Sequence, residues 1–238
     1  MMPLLTIGSK HASIRAVIVD LDGTMLDTVP DFHVAINRMR DAFGLAPITQ
    51  GQIALMVGKG SENLIRGVLS LDLEDAAVTA QLDQAMAAFQ RHYLALNGDY
   101  SVLYPGVIAG LDDLRAQGLR LACVTNKPLA FAAPLLAQKG LAPYFELLYG
   151  GDSFARKKPD PMPLLQVFTD FALRPDQVVA IGDSSNDAEA ARAAGCFVLT
   201  VPYGYNHGRA IHATDSDGIV DTLVEAARLI RSHNIIAN

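Results

Sequence analysis

Cysteine is scarce: Cys123 and Cys196 are the only two in a chain of 238 residues. Each lies in an apolar run (LACVT and CFVLTV) and neither has metal-ligand spacing. This excludes a disulfide-stapled fold and a cysteine-built zinc site. It predicts two buried free thiols and a reducing, cytoplasmic setting. Positive charge is also short. Lys and Arg number 19 against 25 Asp and Glu, giving a net charge of −6, and the cations are dispersed apart from Lys157-Lys158. No basic face for nucleic acid or an anionic membrane is expected. No long apolar run is present either. The longest uncharged stretch, 42–58, is broken by Pro47, Thr49, Gln50 and Gln52, which excludes a membrane span. The opening residues (MMPLLTIGSKHAS) lack a basic n-region, and their apolar run is too short for a secretory signal. Internal repeats and low-complexity segments are absent. What is present is apolar mass: hydrophobic residues make up 50% of the chain. That is enough for one large core, or one core with a smaller inserted domain.

From residue 102 onward the pattern alternates between helix and strand. Helical stretches at VIAGLDDLRAQG, 128–139, 161–172, NDAEAARAAG and 218–232 are interleaved with the strands LRLACVT, FELLYGG, QVVAIGD and CFVLTVP. Together with a first strand at 14–20 this makes at least five short, continuously apolar strands. Such strands are usually buried on both faces. The expected fold class is α/β, a doubly wound parallel sheet. Residues 31–97 break the alternation. Phe32, Ile36, Met39 and Phe43 step at helical spacing, with Pro30 suited to a first helical position. Val78, Leu82, Met86, Phe89, Tyr93 and Leu96 mark a long amphipathic helix. Between them, MVGKGSENLIRGVLSL reads as a glycine-bounded loop and a further helix. The expected organisation is a core of 1–29 and 99–238, with an all-helical insertion at 30–98.

Ligands of open parallel sheets bind at the carboxyl ends of the strands. The first strand ends in Asp20-Leu21-Asp22, another in Thr125-Asn126, and a third in Gly182-Asp183-Ser184-Ser185-Asn186-Asp187. Lys157-Lys158-Pro159 precedes a helix. The fold is expected to bring these to one edge. Clustered carboxylates repel unless a cation sits among them, and oxygen-only ligands point to Mg²⁺. An aspartate can also attack phosphorus to form an aspartyl-phosphate. A phosphate monoester carries about −1.5 to −2 charge near neutral pH, so that attack needs Mg²⁺ and a lysine to offset it. A second carboxyl beside the nucleophile would protonate the leaving alkoxide.

The motifs DLDGT, VTNKP, KKPDP and GDSSND, in that order, resemble those of the haloacid dehalogenase superfamily. The match covers essentially all of 14–232, and the helical insertion resembles a type C1 cap. The resemblance implies a role for each matching residue. Asp20 is the nucleophile. Asp22 is the general acid and base, with its backbone carbonyl on Mg²⁺. Thr125 bonds the transferring phosphoryl group, and Lys158 neutralises Asp20 and that group. Asp183 binds Mg²⁺, and Asp187 holds metal-bound water. Gly23 and Asn126 are expected beside the substrate. Within the superfamily, YPGV at 104–107, GGDSFARKKPDPMPLL at 151–165 and VGKGSENLI at 57–65 are most similar to phosphoglycolate phosphatases. The implied reaction is Mg²⁺-dependent hydrolysis of a small phosphorylated metabolite, 2-phosphoglycolate first, by a monomer or homodimer.

Plainer readings stand beside these. Asp20 and Asp22 alone could be a strand-to-turn cap. Thr125-Asn126 alone reads as a helix N-cap, with Pro128 in the first turn. Asp187 alone could merely favour a helix N-terminus through the dipole, whereas the metal reading has Asp183 and Asp187, four apart, on one face of a helix starting there. His33, His92, His207 and His212 read as surface or structural, as do Arg66 and Arg91. With Lys158 committed to phosphate, the motifs offer no spare cation for a substrate carboxylate. Lys59 and the amides from Gly60 to Asn63, at a helix start near Ser61, are the candidates. A β-phosphoglucomutase-like transferase would use the same four motifs and differ in its cap. A haloalkanoate dehalogenase has no use for Asp22 or Mg²⁺, and a non-catalytic binding module would be expected to lose Asp20 or Lys158.

Overall fold

The computed structural model describes residues 12–209 and 215–237, so His212 and the first eleven residues fall outside it. In chain order the strands are β1 (Ala16–Val19), β2 (Leu26–Asp27), β3 (Val102–Leu103), β4 (Arg120–Val124), β5 (Leu147–Tyr149), β6 (Val178–Gly182), β7 (Phe197–Thr200) and β8 (Gly218–Ile219). The helices are α1 (Val29–Ala42), α2 (Gln50–Ala54), α3 (Ser61–Leu69), α4 (Asp75–Leu94), α5 (Val107–Ala116), α6 (Leu129–Gln138), α7 (Met162–Phe171), α8 (Ser185–Ala194) and α9 (Leu223–Ala237).

Six strands form one parallel sheet in the order β5-β4-β1-β6-β7-β8. Side chains alternate across it, so each strand feeds two cores. Val17, Val19, Leu121, Cys123, Val179 and Ile181 pack on one side with α5, α6 and α9. Ala16, Ile18, Ala122, Val124, Val178 and Ala180 pack on the other with α7 and α8. This two-sided burial explains why the strands read as unbroken apolar runs. Both cysteines are buried, and burial pushes the Cys196 thiol up to about 12.

Helices α1 to α4 lie between β2 and β3 and share a third core built on Phe32, Ile36, Met39, Ile65, Phe89 and Tyr93. Phe131 of α6 joins that cluster and meets Tyr93 edge-on at 5.1 Å. The two connecting segments pair as an antiparallel ribbon, Leu26 with Leu103 and Asp27 with Val102. Buried Asp31, in the first turn of α1, clamps them. It accepts from the Gly98 amide at 2.8 Å and the Tyr100 amide at 2.7 Å, and from the Ser101 hydroxyl.

One expectation is corrected, and two short elements join those expected. The last helix begins at Leu223, not 218, because Gly218–Ile219 pairs with Leu199–Thr200 as a sixth strand; two residues carry no readable period. The ribbon β2–β3 is equally short and was not expected. A short helix, α2, occupies part of the uncharged stretch, started by a Thr49–Gln52 capping box.

Candidate active site

The carboxyl ends of β1, β4 and β6 meet beneath the helical insertion. Asp20 follows β1 and is still held by the sheet, its amide donating to the Ile181 carbonyl at 3.0 Å. The chain then turns sharply at Gly23, whose φ is 84° and whose amide returns to Leu26 at 2.8 Å. A Cβ there would lie 2.3 Å from an Asp183 oxygen. Glycine is thus required both by the turn and by the approach of Asp183. Gly23 therefore backs Asp183, and it is not among the residues lining the cavity that holds Asp20 and Asp22.

Lys158 is the hub. Its ammonium donates to Asp187 Oδ1 at 2.6 Å and to the Val124 carbonyl at 2.7 Å, and it pairs with Asp20 Oδ1 at 3.1 Å. Asp183 accepts from the Thr24 hydroxyl at 2.9 Å and the Tyr205 amide at 2.7 Å. Asp187 caps α8, accepting from the Ser184 amide and hydroxyl at 3.1 and 2.7 Å. Asp183 precedes α8 instead of sharing a face of it; the strand end and the first helical turn converge instead. Oxygens of Asp20, Asp183 and Asp187 all lie within 4.8 Å of one another. Asp22 stands apart from this trio, its carboxylate facing Lys127 at 2.9 Å.

Thr125 and Asn126 do not cap α6. Pro128 holds the cap position, and the Leu129 amide is taken by Asp152 Oδ1 at 2.8 Å. The Asn126 side-chain amide donates instead to the carbonyls of Gly58 at 2.9 Å and Lys158 at 2.8 Å. Asn186 donates to the same Gly58 carbonyl at 3.2 Å. One side-chain amide just past β4 and one in the first turn of α8 thus latch the insertion's loop onto the core.

Beneath that latch is a narrow cavity of about 30 Å³ whose lining includes Asp20, Asp22, Thr125, Gly60 and Lys127. This is space for only a few water-sized centres. Lys59 does not face it. Lys59 lines a separate outer cleft with Lys157, His207 and Arg209. The expectation that the motifs hold no spare cation is overturned. Lys127, in the quoted VTNKP, is buried in the cavity wall. Position alone made it invisible: the sequence shows a lysine before a proline, and only the sheet brings it to Asp22. Thr24, Asn186 and Tyr205 were also missed. Thr24 sat unused inside DLDGT, and nothing in the sequence marks Tyr205 as a neighbour of Asp183.

Crowding sets the electrostatics. Burial raises the Asp20 carboxyl well above the usual range; Lys158 opposes this, while Asp187, Asp183 and Asp22 add to it. Burial and then Asp187 push Asp183 up to about 7, against the pull of Tyr205, Thr24 and Lys158. Burial works against the Lys158 ammonium, but Asp187 and Asp20 outweigh it and raise its pKa. Asp20 and Asp187 both pair with Lys158, and an Asp183 oxygen lies within 4.8 Å of theirs. The group can hold a hard cation, place a carboxylate against an electrophile, and offer an ammonium to an anion.

A sequence model of haloacid dehalogenase-like hydrolases matches residues 14–195. The chain belongs to this hydrolase family. Among its relatives is a protein of Nitrosospira multiformis named phosphoglycolate phosphatase, 47% identical over 92% of this chain and 96% of the relative. A plasmid-borne phosphoglycolate phosphatase of Cupriavidus necator is 46% identical over 87% and 89%. A crystal structure from Haemophilus somnus, described as a predicted phosphoglycolate phosphatase, superposes with a TM-score of 0.85 at 30% identity, covering 92% of this chain and 98% of that one. The hydrolase has a parallel six-stranded sheet, and among the described residues no helix is long and apolar enough to cross a membrane.

Proposed function

We propose that this hydrolase cleaves 2-phosphoglycolate to glycolate and phosphate in the cytosol, with residues 30–98 acting as a cap. The observation that carries the reading is the convergence of Asp20, Asp22, Lys158 and the Asp183–Asp187 pair at one sheet edge under a small cavity. The relatives' names supply the substrate.

The residues fit Mg²⁺. The donors are hard oxygens that lie within 4.8 Å of one another, and Asp183 is fixed from behind by Gly23 and by Gly204, where a Cβ would meet its side chain at 2.2 Å. Asp20, Asp183 and the Asp22 backbone carbonyl would hold the ion, with Asp187 beside it. Bound Mg²⁺ would keep Asp20 ionised and offset phosphoryl charge. The chain's own residues do the rest. An Asp20 oxygen attacks phosphorus, and the bond to the glycolate oxygen breaks. Asp22 gives that oxygen its proton. Water then attacks the phospho-Asp20, Asp22 takes its proton, and phosphate leaves. Thr125 and Lys158 hold the phosphoryl oxygens. Cap closure excludes bulk water during the first transfer.

The test is a panel of small phosphate esters assayed with Mg²⁺ and with excess chelator. Phosphoglycolate should be the best substrate, and chelation should abolish turnover. Asp20→Asn should fold normally and lose at least about 10⁴-fold in kcat, since an amide cannot form the acyl-phosphate. A pure, folded Asp20→Asn protein within tenfold of the parent would refute the mechanism. Release of free phosphate, instead of its return to a sugar, excludes the mutase reading.

A further inference from the structure

Lys127 is a buried ammonium with an incomplete set of partners. Its side chain is 2% exposed, and it pairs with Asp22, itself 10% exposed. An ammonium carries three donors. Among the described residues, Asp22 Oδ1 is the one acceptor it reaches, at 2.9 Å. The faces of Phe32 and Tyr93 lie 4.5 and 4.8 Å from Nζ. They come from α1 and α4, so the insertion clamps a cation carried by the sheet. Two ring faces attract an ammonium, but they do not replace a hydrogen-bond acceptor in a dry site.

Among the described residues, Lys127 is also the only cation lining the cavity that contains Asp20 and Asp22. Lys158 sits beyond Asp20 with three partners of its own. From these positions we infer that Lys127 binds the leaving group's carboxylate and selects phosphate esters that carry a carboxylate one carbon from the ester oxygen. This rests on the phosphoglycolate reading given above. The geometry supports it because Asp22 must reach the ester oxygen to protonate it. In such an ester the carboxylate lies one carbon away, within reach of an ammonium already bonded to Asp22. The donors left over on Nζ bind the carboxylate. The rings hold the ammonium where a longer or uncharged leaving group gains nothing from it.

The probes are two phosphonates that cannot be hydrolysed. 3-Phosphonopropionate copies phosphoglycolate with a methylene for the ester oxygen, and propylphosphonate lacks the carboxylate. Inhibition by each is measured on the Mg²⁺-loaded parent and on Lys127→Met, which keeps the apolar stem between the rings. A charge-assisted hydrogen bond is worth about 1.5–3 kcal/mol, so the parent should prefer the carboxylate by about 10- to 150-fold. In Lys127→Met both inhibitors weaken as Asp22 loses its partner, and the preference falls to less than about threefold. Lys127→Arg should restore part of it. If Lys127→Met does not fold, Lys127→Gln carries the same comparison. A folded variant that keeps the parent's preference overturns the assignment and leaves the phosphoglycolate reading intact. A parent with no preference overturns that reading first.

Discussion

Replacing Asp183 by Asn should stabilise the metal-free protein at alkaline pH, although it removes a residue placed in the metal site. Asp183 rises from an ordinary 3.8 to about 7 through burial and the neighbouring Asp187. The folded state therefore keeps a proton that the unfolded chain gives up between about pH 4 and 7. The resulting stability is fully present below about pH 4 and is lost as pH rises through 7. At about 1.4 kcal/mol for each tenfold in the proton equilibrium, the ionised carboxylate costs the chelated protein about 4 kcal/mol at pH 8. Asn carries no charge and keeps the fit. Its carbonyl can accept from the Tyr205 amide, and its NH₂ can donate to the Thr24 hydroxyl, which donates to Asp183 in the parent.

For a chain of this size each kcal/mol moves Tm by about 2–4 °C. Melting in excess chelator at pH 8 should place Asp183→Asn about 8–16 °C above the parent, and the gap should narrow to less than half at pH 5 and close below about pH 4. Adding Mg²⁺ should raise the parent's Tm, more at pH 8 than at pH 5, and barely move the variant. A chelated variant that melts at or below the parent at pH 8 would show that the cluster is not electrostatically strained.

Two further substitutions probe the scaffold. Gly151→Ala adds a Cβ 2.2 Å from the Asn126 carbonyl oxygen; backbone must shift, carrying Thr125 and Lys127 with it. Phosphatase kcat/KM should fall about 10²-fold, and steady-state assays showing normal turnover would contradict the close approach of these loops. Asp31→Ala leaves the buried Gly98 amide and the part-buried Tyr100 amide without their carboxylate. The loss should be about 3–5 kcal/mol, read as a Tm drop of about 6–20 °C, and a drop under 2 °C would mean Asp31 does not clamp the hinge.

The parallel sheet was legible because burial on both faces leaves a strong, simple signature: runs such as VIVD and VVAIGD with charge only at their ends. Asp20, Asp22, Thr125 and Asp183 stood out for the same reason, as polar residues where an apolar strand stops, with Asp187 closing the run that Asp183 begins, while Lys158 was marked by the lysine pair before a helix. Two-residue strands such as Gly218–Ile219 left no trace, since their pairing comes from neighbours in space. Lys127 and Lys59 show the limit most clearly. Both are loop lysines beside glycine or proline, and sequence favoured Lys59 for its flanking glycines. Placement reverses the choice: one closes the cavity wall beside Asp22 and the other opens onto an outer cleft.

The insertion is tied down unequally at its two ends. At the hinge, Asp31 holds the second connection through charged, buried hydrogen bonds, and β2 pairs with β3. At the mouth, the Gly58 carbonyl accepts from the neutral amides of Asn126 and Asn186. Two such bonds are worth about 1–3 kcal/mol together, against several kcal/mol from Asp31 alone. They are not the only ties on that side: the rings of Phe32 and Tyr93 lie over Lys127 and Tyr93 meets Phe131 edge-on, so the Gly58 latch is the weaker of several holds between insertion and sheet.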